Sequence, residues 1–547
     1  MPARKRWHST LAAALATVVV CSLSLHAAPG VAQARAHSAN SDTIFVDYIS
    51  DFSSLDTGKC YDTQCYPWVH AMFDQLIQYD TRHGTGDNLI PDAAATMPTI
   101  TNGGKTYTFR LRHDVHFWNG RLATSADWVY SFERIINPAT QAGAAAFWQA
   151  IVGAREYAAG KAKHVTGIKA LGPWGLEIDL VAPEAFFLNV LAMPFGSVVD
   201  KNQIAKYGKS YATQHIMGTG PYMFQEYKLG QRLVLVKNPH YFDPAHAGHV
   251  ARLEADIGVS TETSFLRVQR GHADLDGDFP TPIPPAEFLT ILNDPVLSKR
   301  VVKEVQVATE YVALNTLIKP FDHMLVRRAV EYAIDKQRIV RLINGRGKVA
   351  TTFIPPTMPG YGYFNMYPYN PAKAKQLLAQ AGFPNGFSTT LYSDNAADNP
   401  RVAQAIVPML TAIGIKAKTR VLELNTFITA VGTKGKVPIS WVAWYMDFPD
   451  PNDFFEPIES CASASPGTFN EAWYCNPKLD ALMYKLKSMT DRRARLKLYP
   501  QLDRMLLRDA PVVPVYNPVY YILPSAQLHN FYLHNVWTLV LADYTKS

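Results

Sequence analysis

Residues Tyr107 to Ile135, YTFRLRHDVHFWNGRLATSADWVYSFERI, set the strongest constraint on the fold, because strand, turn and capped helix follow one another within a single block. Tyr107, Phe109 and Leu111 alternate with Thr108, Arg110 and Arg112, the period of two that places every second side chain on one face of a half-buried strand. Asn119-Gly120 supplies a turn dipeptide. Thr124 can then cap a helix with Asp127 in its first turn; Val129, Phe132 and Ile136 recur on one face, and Asn137-Pro138 stops it. Strand-like and helix-like segments alternate along the rest of the chain without repeats or low-complexity stretches, which implies α/β domains. With 547 residues, 48% of them hydrophobic, the chain exceeds what one domain usually holds, and two or three are expected.

Other helices are punctuated as clearly. Asn370 before Pro371 gives an N-cap and an N1 proline; Ala374, Leu377 and Leu378 form an apolar face, and Gly382 fits the left-handed position after the last turn. Asp335 can cap a helix over Lys336 to Ile343 that ends near Asn344-Gly345. These positions are read as structural.

At the N-terminus, Arg4, Lys5 and Arg6 precede an uncharged run from Leu11 to Leu25, and Ala32-Gln33-Ala34 offers an A-x-A cleavage site. The run is shorter than the roughly 20 apolar residues of a membrane span. A signal peptide over 1–34, cleaved on export, is therefore expected, with an extracytoplasmic or periplasmic mature protein. A lipid anchor at Cys21 is not, since Val20 is bulky and Leu23 and Leu25 continue the apolar run. Of the five cysteines, Cys60, Cys65, Cys461 and Cys475 would remain, and an even count in an exported chain favours disulfides. The local pairing closes the shortest loops. Zinc is the rival, but neither pair has C-x-x-C spacing or a histidine pair nearby.

The formal charge of +7 falls to a mild basic balance once the leader is removed, and the most basic stretch, Lys485 to Lys497, is interleaved with Leu486, Met489 and Leu496 and reads as a solvated helix face. Nucleic-acid binding, which needs a concentrated basic surface, is not expected. Nor is catalysis: a G-x-S-x-G elbow, H-E-x-x-H, a Walker loop and a paired Cys/His arrangement are not found, and Gly345-Arg346-Gly347-Lys348 and Gly435-Lys436 lack phosphate-loop spacing. A secreted hydrolase stays a remote alternative. His113 and His116 read as surface polar residues, and no metal or cofactor is expected.

The block from Tyr107 to Ile135 closely resembles a segment of the peptide/nickel class of extracytoplasmic solute-binding proteins, the receptors of ABC importers for oligopeptides and dipeptides. Further segments of that class appear in the same order. Gly218-Thr219-Gly220-Pro221-Tyr222 is followed by Gly230-Gln231 and Lys237-Asn238-Pro239-His240-Tyr241-Phe242. Then come Asn315, Pro320-Phe321-Asp322, Arg327-Arg328-Ala329 and Ala333-Ile334-Asp335; later Tyr369-Asn370-Pro371 to Ala381-Gly382, Asp447-Phe448-Pro449-Asp450-Pro451, and Asn476-Pro477 with Asp480. The resemblance, running from about residue 43 to the C-terminal region, implies an α/β two-lobed periplasmic-binding-protein clamp of the class II type with an additional domain in the N-terminal lobe. Lobe I is expected over 43–84, 201–305 and 516–547, its extra domain over 85–200, and lobe II over 306–515. The apolar segments Thr309–Asn315 and Pro511–Tyr516 suit paired crossing strands.

The resemblance also implies the function: a monomeric receptor that captures a peptide by lobe closure and hands it to a separate permease and ATPase. In peptide-binding relatives the aspartate matched by Asp447 pairs with the ligand's α-ammonium group, and the tryptophan matched by Trp444 walls the pocket. A carboxylate at a strand end can serve so, although Asp447 could equally cap the turn before Pro449, and Asp450 reads as a turn residue. Trp444 and Tyr445, both ligand candidates, should point to opposite faces of a strand, so that only one of them faces the ligand unless the strand is kinked, while Trp441 reads as core. Tyr66, in the cysteine-bounded loop whose counterpart faces the cleft, is a further ligand candidate. No match is found for the basic residue that holds a ligand carboxylate in dipeptide relatives; Arg401, after Asn399-Pro400, is a candidate. The alternative cargo in the same fold is an oligosaccharide or a nickel or other metal chelate.

Overall fold

The computed structural model describes residues 42–81, 88–279, 282–396 and 398–547; the signal segment expected over 1–34, with Cys21, lies outside them. Two mixed sheets organise the described chain. The first has five strands in the order Leu275–Asp276, Thr43–Tyr48, Arg252–Ile257, Arg232–Lys237 and Tyr222–Lys228. Its second strand, TIFVDY, is buried at every position and is flanked by parallel neighbours on both sides, so its near-continuous apolar run is what a strand covered on both faces requires.

The second sheet has seven strands: Val302–Val305, Val512–Ile522, Ala308–Leu314, Ile439–Tyr445, Phe387–Asp394 and Ile415–Leu422 in order, with Gly347–Val349 also on Val512–Ile522. Ala308–Leu314 runs antiparallel to both Val512–Ile522 and Ile439–Tyr445, whereas Phe387–Asp394 is parallel to its two neighbours. Separate apolar cores cover its faces: Tyr311, Ala313, Val442 and Trp444 point into one, and Val312, Leu314, Ile439 and Trp441 into the other. The alternation along each strand thus divides the residues between the two cores. Trp441 is fully buried and donates from Nε1 to Asn399 Oδ1 at 3.0 Å, as a core tryptophan should.

A third, antiparallel sheet of four strands, all between Thr99 and Asp179, contains the Tyr107 strand. The helix Ser125–Ile136 follows, and the Asp127 carboxylate accepts the Thr124 backbone N–H at 2.9 Å. Its buried stripe is Trp128, Phe132, Ile135 and Ile136, with Val129 only half-buried, so the face is turned slightly from the one the sequence suggests. The helix Pro371–Gln380 starts at Asn370, whose side chain accepts from Lys373 N, and buries Ala374, Leu377 and Leu378; Gly382 takes φ +90°. Asp335 caps Lys336–Leu342 in the same manner.

The basic run corrects its reading as a solvated face. It covers the end of the helix Pro477–Lys487 and the short helix Arg492–Leu496, and two of its cations are drawn inward. Arg495 is 2% exposed and grips Asp450 with both terminal nitrogens. Lys487 bridges Glu184 at 3.4 Å and Glu456 at 2.8 Å. A buried carboxylate needs a paired charge, and these cations supply it. Asp450 also accepts from Asn452 N at 3.0 Å, so it is both a turn residue and half of a buried ion pair.

Disulfides join Cys60 to Cys65, with sulfurs 2.05 Å apart, and Cys461 to Cys475, with sulfurs 2.08 Å apart. Among the described residues no helix is long and apolar enough to cross a membrane. His113 stacks on Trp174 with centroids 4.5 Å apart, and His116 Nδ1 lies 2.8 Å from the Asp114 carbonyl oxygen; both side chains are on the surface.

Candidate functional site

The parallel strands Phe387–Asp394 and Ile439–Tyr445 end on the same side of the seven-stranded sheet, with the start of the antiparallel Ala308–Leu314 beside them. Crevices outside the carboxyl ends of such strands are where α/β sheets hold ligands. A cavity of about 480 Å³ lies there, within the size range of small-molecule sites. From the sheet it is lined by Glu310, Asp394, Trp444, Tyr445 and Asp447; Tyr61, Asp62 and Tyr66 close it from the Cys60–Cys65 loop.

Asp447 follows the strand end by two residues. Its carboxylate Oδ2 accepts the Tyr61 hydroxyl at 2.8 Å, and its own N–H donates to Asp453 Oδ2 at 2.9 Å. Burial pushes the Asp447 carboxyl up to about 7, against the downward pull of the Tyr61 hydrogen bond. Asp453 is raised too, by burial and by the neighbouring Asp447 charge. These two acids, with Tyr61 and Tyr66 beside them, form a pocket in which a positive charge is in demand.

Trp444 and Tyr445 leave opposite faces of the strand, and both line the cavity. The strand stops here, so the cavity reaches both faces of the sheet's end. Trp444 packs into one core and donates from Nε1 to Asp453 Oδ2 at 3.2 Å, while Tyr445 donates from the other face to Glu310 Oε1 at 3.3 Å. Tyr66, at the start of the helix Tyr66–Met72, is 6% exposed and reaches the cavity from the opposite wall. Arg401 does not reach it: the side chain is 43% exposed and pairs with Asp398 at 2.7 Å.

Sequence reasoning passed over Tyr61, Glu310, Glu471 and Tyr520, all of which line the cavity. A lone carboxylate in the apolar run TEYVALN was the available signal for Glu310. Tyr61 stands in the loop already singled out. Glu471 and Tyr520 carry no local signal, since only the tertiary fold brings them to the sheet's end. A second chamber of about 430 Å³ shares Tyr61, Trp444, Thr468 and Phe469 with the first and extends towards Phe186, Phe448 and Lys487.

Residues 88–466 match the family described as bacterial extracellular solute-binding proteins, family 5 Middle. The chain is 30% identical to heme-binding protein A of Haemophilus influenzae over 93% of each chain. It is 26% identical to the glutathione-binding protein GsiB of Salmonella typhi over 85% of this chain and 87% of that one. Among solved structures, it matches DppA, an ABC transporter-associated periplasmic binding protein of Helicobacter pylori in complex with the peptide STSA. That match has 25% identity and a TM-score of 0.78, covering 92% of this chain and 98% of that one. Clavulanic acid biosynthesis oligopeptide binding protein 2 gives a TM-score of 0.86 at 23% identity, over 92% and 95% of the two chains. The fold is that of a two-lobed α/β clamp, and the chain belongs to the extracellular solute-binding proteins of family 5, the binding components of ABC importers.

Proposed function

We propose that this protein is the extracytoplasmic receptor of an ABC importer for peptides, that it closes on a ligand held by its amino end at Asp447, and that it delivers the ligand intact to a separate permease and ATPase. The observation that carries this reading is the Asp447 carboxylate, desolvated at a strand end in a cavity lined, among the described residues, by no lysine, arginine or histidine. An α-ammonium group would supply the missing charge through a charge-assisted hydrogen bond worth about 1.5–3 kcal/mol. Tyr61 and Tyr66 stand where they can flank that group, and Trp444 and Tyr445 wall the pocket.

Closure by hinge rotation is the motion this family's architecture suits. Contacts between the four-stranded-sheet segment and the seven-stranded-sheet lobe support it: Phe448 stacks on Phe186 with centroids 4.9 Å apart and meets Phe147 edge-on at 5.4 Å. The domain borders proposed are 43–84, 201–305 and 516–547 for lobe I, 85–200 for its extra domain and 306–515 for lobe II. Confinement of the four-stranded sheet to residues 99–179 supports the extra domain, whereas the seven-stranded sheet runs across the borders near 305 and 515, since Val302–Val305 pairs with residues 519–522 of Val512–Ile522. Cleavage of residues 1–34 on export and a monomeric working form belong to the same reading.

Isothermal titration calorimetry with a tripeptide and its N-acetyl form tests the amino-end assignment. Acetylation should weaken binding about tenfold or more, as should Asp447→Asn with the free peptide, about 1.4 kcal/mol being a factor of ten. An unchanged Kd in both comparisons would sink it.

A further inference from the structure

The cavity holds more negative charge than one ammonium group can answer. Among the described residues five carboxylates line it, from Asp62, Glu310, Asp394, Asp447 and Glu471, and no basic side chain does. Most of them have internal work. Asp394 takes the Asn399 amide at 3.0 Å on each oxygen and Ala396 N at 2.7 Å. Asp62 accepts from Gln64 N and Cys65 N through Oδ1, fixing the disulfide turn, while its Oδ2 is buried without a hydrogen-bond partner. Glu471 accepts the Tyr311 hydroxyl at 3.2 Å, and Asp447 is assigned to the ligand's amino end.

Glu310 stands apart. It is 6% exposed in the middle of the sheet's end, its Oε1 takes only the long Tyr445 contact of 3.3 Å, and its Oε2 is buried with no hydrogen-bond partner. The charges around it are mostly of its own sign. Asp394 and Asp398 face it, and burial with these two acids holds its carboxyl at about 8. Arg346 and Arg401, the bases on the neighbouring elements, are both taken up by Asp398. Rings surround it: Tyr445 lies 6.5 Å from Tyr520, centroid to centroid, and Phe279 stacks on Tyr520 at 5.2 Å. A buried carboxylate inside aromatic walls is a receptor for a desolvated cation, which gains both the ion pair and the ring faces.

We propose that the receptor selects peptides bearing a second positive charge, a lysine or arginine side chain, and that Glu310 with Tyr445 and Tyr520 is the subsite that receives it. This rests on the peptide-receptor reading, to which it adds a ligand class.

The test is calorimetry at physiological salt with two matched pairs, Lys-Ala-Ala against norleucine-Ala-Ala and Ala-Lys-Ala against Ala-norleucine-Ala. At least one lysine peptide should bind about tenfold more tightly than its norleucine partner, and Glu310→Gln should remove most of that ratio. Binding of all four peptides within about twofold of one another would overturn the charge selection while leaving the peptide receptor standing. A lysine preference untouched by Glu310→Gln would overturn the Glu310 subsite. If none of the four bound, the peptide reading and this one would fall together. The wild-type comparison decides the charge question even if the variant misfolds.

Discussion

At the residue scale the site turns on carboxylates placed where water cannot reach them and on what answers each one. Asp450 is answered inside the protein, by the bidentate Arg495 with Tyr499 beside it. Arg495→Met should therefore lower the unfolding free energy by about 3–5 kcal/mol, because the partner carboxylate stays buried without its cation; urea denaturation measures this, and a loss below about 1 kcal/mol would contradict it. Asp447 is answered only by a tyrosine hydroxyl and Glu310 by a weaker one, so these two are left for the ligand. Asp447 and Trp444 were singled out because their segment resembles one in the peptide-binding relatives, and both line the cavity. Glu310 was not, because a strand residue's surroundings depend on which strands pair beside it. Arg495 hid within a basic run for the same reason: nothing local distinguishes a cation that faces solvent from one that turns inward to Asp450.

At the scale of elements, the helices were the most readable parts. Caps and stops are local chemistry, so Asn370, Asp335 and Asp127 do in the structure what their positions in the sequence require. In the helix Ser125–Ile136 the buried stripe takes Trp128, packed against Phe132 with centroids 5.8 Å apart, where the sequence pattern suggested Val129. Loops are less readable, and here the two disulfides hold them. Cys461–Cys475 closes a loop of 14 positions beside Thr468 and Phe469, which line both chambers. Replacing both cysteines with serine should cost about 3 kcal/mol by the loop-entropy estimate, seen as a lower Tm by calorimetry, and the shorter Cys60–Cys65 loop should cost less. An unchanged Tm for the Cys461/Cys475 pair would contradict that.

At the scale of the whole molecule, folding buries acids that the unfolded chain leaves in water, and pH dependence follows. Burial raises Asp447 and Glu471 to about 7 and Glu310 to about 8, above their ordinary carboxylate values near 4. Between about pH 4 and 7 the folded protein therefore binds more protons than the unfolded one, and these groups make the ligand-free protein less stable as pH rises through that window. A cationic ligand favours the ionised acids. Binding at about pH 6 should then release protons, and affinity should rise from about pH 5 to 7, where the peptide's amino group is still charged. Titration in buffers of differing ionisation enthalpy counts those protons, and uptake in place of release would contradict the scheme.

What most directly tests whether this clamp is a peptide receptor is its cargo. Native mass spectrometry of the protein purified from the envelope of cells that export it, followed by denaturation, should release short peptides with free amino ends, enriched in lysine or arginine. Recovery of haem, an oligosaccharide or a metal chelate in their place would keep the clamp and contradict the role assigned to Asp447.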